Sequence, residues 1–149
     1  MRELQIVLEE DLPQIYQSLD FNVIIVCIVP RAKAENAYHA NQQLFRTTVQ
    51  AVIRAINGFV DGASYIRRHT NTYTTHLRKE VRNYTNDGPT PYPGITEDTC
   101  EISTNVRGKN ILLIDDIYTP GVNIDEDAIN ALLNFGASTV TFYAVGRVQ

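Results

Sequence analysis

Continuous apolar runs alternate along the chain with segments in which apolar residues recur at helical spacing. Residues 22–29 and 110–114 are two runs rich in β-branched side chains, which is typical of strands buried on both faces of a sheet. Residues 35–57 and 124–135 carry apolar or small residues at helical spacing, and a glycine follows each segment directly. A strand followed by a helix, twice along the chain, predicts an α/β fold with a largely parallel sheet.

Four weaker segments predict further elements of this fold. They are a helix at residues 8–19 with Pro13 near its start, and strands at residues 63–66, 100–103 and 139–145. Residues 67–107, which include one of these strands, are polar, rich in Thr, Asn and Arg, and contain several prolines. Because this stretch is too long for an ordinary connection, we expect part of it to be a functional or mobile loop.

The composition is ordinary for a globular protein. The 149 residues are 44% hydrophobic and 20% charged, which favours a single domain over residues 1–149. The net charge of −4 gives no electrostatic argument for a nucleic-acid partner. The longest apolar run is too short to span a bilayer and the N-terminus does not resemble a signal peptide, so we expect a cytoplasmic protein with no membrane partner. Cys27 and Cys100 lack the spacing of a zinc site.

Two adjacent carboxylates follow the second buried strand. Asp115 and Asp116 come directly after residues 110–114, and residues 117–123 form a loop that leads into the next helix. Ligands of open parallel sheets lie beyond the carboxyl ends of the strands, so these acids could bind hydroxyl groups or a metal ion, while loop amides and the helix N-terminus could bind a phosphate. A lone acid pair would more simply be a loop cap beside a solvated carboxylate. The complete string of strand, acids, glycine-bearing loop and helix favours a sugar-phosphate site.

This segment resembles the signature of the type I phosphoribosyltransferases, which bind phosphoribosyl pyrophosphate (PRPP) together with Mg²⁺. The resemblance implies a Rossmann-like fold, in which a mostly parallel sheet is flanked by helices, here with a reduced hood. It also implies that Asp115 and Asp116 hold the ribose hydroxyls and contribute to Mg²⁺ binding. By the same resemblance, the PRPP 5′-phosphate is held by the loop residues Thr119, Pro120, Gly121, Val122 and Asn123.

Two loop positions, Pro120 and Asn123, depart from the family pattern, and Thr119 bears on the acceptor. Pro120 stands where a Thr is common, and it removes one backbone N–H from the loop. Asn123 stands where a Thr or Ser is common. Its amide can still donate to a phosphate, or it can cap the helix in a pair with Glu126. Thr119 replaces an acid that serves the base in some purine-salvage members, which disfavours a 6-oxopurine acceptor.

Two basic segments extend the resemblance. Arg31 and Lys33 follow the first buried strand, where the family binds pyrophosphate, although a solvated turn is the alternative. The spacing of residues 68–82 is similar to that of the ComF-like phosphoribosyltransferases, often labelled amidophosphoribosyltransferase-like. This similarity implies a catalytic role for Arg68, in a loop that closes over the site and excludes water.

These features predict an enzyme that transfers the phosphoribosyl group of PRPP to a nitrogen acceptor and releases pyrophosphate, with Mg²⁺ as the cofactor. The alternative is a non-catalytic module that binds PRPP or a nucleotide and regulates a partner. The sequence does not indicate the acceptor. Candidate protein partners are a second copy of the chain, in a homodimer, or an operon-encoded protein.

Overall fold

Three helices and six strands make up the part of the chain that the computed structural model describes, namely residues 2–31, 43–69, 95 and 99–149. In chain order they are α1 (Arg2–Leu19), β1 (Ile24–Ile28), α2 (Leu44–Arg54), β2 (Phe59–Asp61), β3 (Ile66–Arg68), β4 (Cys100–Ile102), β5 (Asn110–Tyr118), α3 (Ile124–Asn134) and β6 (Thr139–Arg147). A single turn of 3₁₀ helix, Thr104–Val106, precedes β5.

A four-stranded parallel sheet in the order β2-β1-β5-β6 forms the centre of the fold. Strand β1 pairs with β5 from Ile25 opposite Ile111 to Ile28 opposite Ile114. Strands β3 and β4 form a separate antiparallel pair. The predicted α/β fold with a mostly parallel sheet is therefore confirmed.

The two faces of the sheet are buried by different elements. Alternate side chains of β1 and β5 pack with α1 and α2 on one face, including Val26 and Leu112. The intervening side chains, including Cys27 and Leu113, pack with α3 and the β3–β4 pair on the other face. Burial raises the pKa of the Cys27 thiol to about 12, with a smaller contribution from Asp61, so this cysteine is an inert core residue.

Helix α1 differs from the prediction at its N-terminus. It begins at Arg2, six residues before the predicted start, and Pro13 lies inside it rather than near its beginning. Proline cannot donate to the carbonyl of Glu9, which weakens the helix locally. The fully buried side chains of Leu8 and Leu12 lie one turn apart, just before Pro13. Their packing onto the sheet stabilises the helix despite the lost hydrogen bond.

The second predicted strand is misplaced. The strand that extends the sheet is Phe59–Asp61, whereas residues 63–66 are mostly a turn that leads into β3. Helix α2 ends at Arg54, before the predicted stop at Gly58, and residues 35–42 of the predicted helix lie outside the described residues. Gly58 has φ +97° and begins the turn into β2, so its left-handed conformation marks the start of a strand rather than the end of a helix.

The polar segment 67–107 is not a loop at its two ends. Arg67 and Arg68 belong to β3, and residues 100–102 form the predicted short strand, which pairs with β3. Most of the interior, residues 70–94 and 96–98, lies outside the described residues. Across the described part of the chain, none of the helices has the length and apolarity needed to cross a membrane.

Candidate functional site

The sheet changes direction between β1 and β5. The crossover from β1 runs through α2 to β2 on one side, and the crossover from β5 runs through α3 to β6 on the other side and the opposite face. Such a switch point leaves a crevice at the carboxyl ends of the two strands, which is where ligands of open α/β sheets bind. The last link between the strands is the bond from Val29 N–H to the Ile114 carbonyl, 3.0 Å long.

Strand β5 continues past this point, so the paired acids lie within the strand rather than after it. Asp115 pairs with Ala144 of β6, and the pairing continues to Tyr118 opposite Arg147. The predicted strand end at residue 114 is therefore wrong, because β5 continues to Tyr118. Residue 114 is instead the last residue of β5 that pairs with β1. The extension from Asp115 onward is paired only with β6 and borders the crevice on its other side.

Asp115 and Asp116 occupy different environments. Adjacent residues of a strand point to opposite faces, and here Asp116 is exposed whereas Asp115 is turned toward α3. Each carboxylate accepts a hydrogen bond from the following backbone N–H, at 2.8 Å from Asp116 N to Asp115 Oδ1 and at 2.7 Å from Ile117 N to Asp116 Oδ1. The crevice therefore presents one solvated carboxylate, not two equivalent ones.

The partner of Asp115 is Asp125, a buried acid that the sequence reasoning did not single out. Burial raises the pKa of Asp115, and the adjacent Asp125 and Asp116 carboxyls raise it further. Burial also raises the pKa of Asp125, which is only 2% exposed, although its hydrogen bond with Asp115 opposes this shift. The two carboxyls thus retain a shared proton near neutral pH. Asp125 lies three residues before buried Ala128 and seven before Leu132, so helical spacing could have revealed it.

The loop of residues 119–123 has the strained backbone expected of a ligand-binding turn. Gly121 has φ +81° and Asn123 has φ +62°, both in the left-handed region. The Asn123 carbonyl accepts from Asp127 N–H at 2.9 Å, but its side chain makes no capping hydrogen bond. Glu126 instead accepts a hydrogen bond from the Tyr118 hydroxyl at 2.9 Å. The capping pair of Asn123 with Glu126 is therefore absent, and the exposed Asn123 amide is not used within the helix.

The first turn of α3 is strongly acidic. It contains Asp125, Glu126 and Asp127 in succession. Carboxylates at a helix N-terminus are stabilised by the helix dipole, and they also reduce the attraction of that terminus for a phosphate. This feature weakens the sequence-based argument that the helix end itself binds an anion.

Arg68 lies in the structure as a buried residue of β3 rather than in a mobile closing loop. It is 3% exposed, and its Nε donates to the backbone carbonyl of Arg31 at 2.6 Å. Arg31 follows β1 at the crevice, so Arg68 ties the segment after β1 to the β3–β4 pair. The structure places Arg68 in β3, opposite Cys100 of β4, whereas the predicted catalytic role of Arg68 stays a prediction. Lys33 lies outside the described residues.

An open α/β sheet with a crevice at its switch point is the class of fold that these observations define. No protein-family model matches the chain. No curated protein matches it in sequence. Among solved structures, it is similar to a hypoxanthine-guanine phosphoribosyltransferase from Bacillus anthracis, with a TM-score of 0.55, 14% identity, and coverage of 99% of this chain and 77% of the other. A hypoxanthine phosphoribosyltransferase from Staphylococcus aureus gives a TM-score of 0.49 at 11% identity over 99% of this chain and 73% of the other.

The first similarity confirms the predicted fold: the chain has the α/β fold of the type I phosphoribosyltransferases. At this identity it defines the fold and not the reaction. Neither structure belongs by its description to the ComF-like group, so that closer relationship stays a prediction.

Proposed function

We propose that this chain, acting as one domain over residues 1–149, binds PRPP with Mg²⁺ in the crevice between β1 and β5 and transfers the phosphoribosyl group to a nitrogen acceptor, releasing pyrophosphate. The observation that carries the proposal is the convergence at one switch point of the segment after β1, the solvated carboxylate of Asp116 and the left-handed loop after β5. The shared fold with a phosphoribosyltransferase supports it.

Each part of PRPP has a candidate binding group at this edge of the sheet. The exposed Asp116 carboxylate accepts hydrogen bonds from the ribose hydroxyls. The hydroxyl of Thr119 and the side-chain amide of Asn123 donate to the 5′-phosphate. Gly121 and Val122 allow the loop backbone to approach this phosphate closely. Arg31 and Lys33 are proposed to bind the pyrophosphate through their positive charges. Pro120 contributes its rigid φ angle but no N–H.

In this proposal, Arg68 is a positioning residue rather than a catalytic one. Its Nε donates to the Arg31 carbonyl at 2.6 Å and so holds Arg31 in place after β1. Pyrophosphate departure builds negative charge on the leaving group, so the reaction depends on positioning and on neutralisation of that charge more than on a protein nucleophile. Arg31 is the described cation best placed for this neutralisation.

The donor set fits a Mg²⁺ ion that arrives with the substrate. Within the described residues, no three acidic, His or Cys side chains converge to hold a metal. Asp115 is committed to its pairing with Asp125, which leaves Asp116 as the available carboxylate. Mg²⁺ commonly uses one or two carboxylates plus substrate phosphates. Bound in this way, the ion would supply positive charge to the pyrophosphate.

A non-catalytic PRPP- or nucleotide-binding regulatory module is the second candidate. The acidic first turn of α3 and the missing N–H of Pro120 favour it, because both weaken the hold on the 5′-phosphate. A weaker hold is compatible with sensing PRPP but disfavours turnover.

The experiment is PRPP titration by calorimetry with and without Mg²⁺, alongside pyrophosphate release in the presence of a panel of bases and amines. We expect Asp116→Asn to weaken PRPP binding by roughly tenfold or more, since it removes a charge-assisted acceptor of hydroxyl hydrogen bonds. Asp127→Asn, in the first turn of α3, is the matched control and should bind PRPP at least as well as the parent chain. Binding without pyrophosphate release supports the regulatory module, and the absence of both contradicts the PRPP proposal.

A further inference from the structure

A cavity of about 440 Å³ opens between α3 and the edge strand β6. It is lined by Asp125 and Glu126 from the first turn of α3 and by Tyr118, Phe142 and Arg147 from β5 and β6, among others. Its volume lies in the range of small-molecule sites, roughly 300–1,000 Å³. Neither Asp116 nor Arg31 lines it, so it is distinct from the crevice proposed for PRPP.

Buried carboxylate oxygens in this lining lack protein donors. Apart from the proton shared with Asp115, no N–H or O–H group of the described residues donates to Asp125 or to Oε2 of Glu126, and these oxygens are buried. The proton shared with Asp115 can serve only one oxygen of Asp125. Because a buried acceptor without a donor costs roughly 1–3 kcal/mol, its persistence facing a cavity points to a donor brought by a ligand.

Aromatic rings provide the apolar part of the lining. The rings of Tyr118 and Phe142 are 6.0 Å apart at 64°, an edge-to-face arrangement that fixes both. The Tyr118 hydroxyl is held by its 2.9 Å hydrogen bond to Glu126, so this ring and this carboxylate form one rigid unit. The Arg147 guanidinium lies 5.8 Å from the centre of the Tyr118 ring and is the only cation among the described lining residues, against two carboxylates.

We infer that this cavity binds a small organic ammonium ion that carries an aromatic or apolar group. An ammonium group supplies the N–H donors that Asp125 and Glu126 lack, and its positive charge suits aromatic faces. An anion would be repelled by the acidic side chains of Asp125 and Glu126. A bare metal ion is disfavoured, since the described residues contain no cluster of three suitable ligands. The inference is independent of the proposed PRPP site and goes beyond it.

The test uses 2-phenylethylamine, which is a cation at neutral pH, and 2-phenylethanol, which has a similar shape without the charge. Both are titrated into the full chain, with detection by amide chemical shifts and calorimetry. We expect saturable binding of the amine in the millimolar range, roughly tenfold tighter than the alcohol, with shift changes in α3 and at the ends of β5 and β6. Equal affinity of the two probes, or shift changes elsewhere, would overturn the inference.

Three substitutions localise the binding. Asp125→Asn and Glu126→Gln each keep the side-chain shape, and each should weaken amine binding by about fivefold or more because it replaces an acceptor oxygen with an N–H donor. Asp127→Asn removes a charge from the same helical turn but does not line the cavity, so it should bind within about twofold of the parent chain. If Asp125→Asn folds poorly, the amine affinity of Glu126→Gln alone still tests the inference. Unchanged binding in both lining variants would contradict the inference, whatever the outcome with PRPP.

Discussion

Replacing Asp125 with asparagine should stabilise the folded chain at neutral and alkaline pH. The carboxyls of buried Asp125 and half-buried Asp115 face each other, and desolvation is the largest cause of the raised pKa of each. The native state must therefore keep a proton that the unfolded chain releases near pH 4. The introduced asparagine side chain would supply two permanent N–H donors to the Asp115 carboxylate, so the shared proton would no longer be required.

The size of the effect follows from proton linkage. A group with a raised native pKa contributes its full stability below the unfolded pKa and loses stability as the pH rises toward the native pKa. Each pH unit in that window costs about 1.4 kcal/mol, so one retained proton could cost up to roughly 5 kcal/mol between pH 4 and pH 8. Asp115 is partly accessible to water, which reduces the penalty, and we expect Asp125→Asn to gain about 1–3 kcal/mol at pH 8.

The assay is urea denaturation followed by far-ultraviolet circular dichroism at intervals from pH 4.5 to pH 8.5. We expect the two chains to converge at the acidic end and to diverge with rising pH, with a free energy of unfolding about 1–3 kcal/mol higher for the variant at pH 8. The control Asp127→Asn should change little across this range, since its carboxylate is not part of the buried pair. A variant that loses stability at pH 8, or a difference that does not depend on pH, would refute the shared proton.

Three further substitutions test side-chain and backbone contributions to stability. Tyr143→Phe removes the 2.6 Å hydrogen bond from the Tyr143 hydroxyl to Asp11 Oδ2, which links β6 to α1, and should lower the free energy of unfolding by about 1–2 kcal/mol in urea melts. A change near zero would mean that water replaces this bond fully. Gly58→Ala should cost about 2–4 kcal/mol, because φ is +97° and the new Cβ collides with the Tyr16 hydroxyl. Gly108→Ala, at φ +69° in open space, isolates the backbone part and should cost only about 1 kcal/mol; equal losses would refute the collision.

The sequence predicts the centre of the sheet well and its margins poorly. The β-branched runs around Val26 and Leu112 are buried on both faces, so their composition alone indicates strands. The edge strand Phe59–Asp61 has only three residues, one of them exposed, which is too short for any periodicity to appear. Burial patterns thus identify central strands, whereas an edge strand is specified by the neighbour with which it pairs.

The position of Arg68 likewise depends on pairing with a distant strand, which local sequence does not predict. A basic residue in a polar segment predicts a solvated loop, yet Arg68 is buried in β3. Its strand partner is Cys100, more than thirty residues later in the chain. Local composition carries no information about such a pairing, so the role of Arg68 in holding Arg31 could not be read from the sequence.

Because β1 is shorter than β5, the end of β5 borders both the proposed crevice site and the proposed cavity site. Strand β1 stops at Ile28, so the extension of β5 beyond Ile114 is unpaired on the crevice side and remains paired with β6 on the other. Along this extension, Asp116 is exposed, whereas Tyr118 lines the cavity beside α3. The acids of the first turn of α3 therefore lie close to both places. They favour a cation in the cavity, and they oppose a bare phosphate in the crevice, which is why we expect PRPP affinity to depend steeply on Mg²⁺.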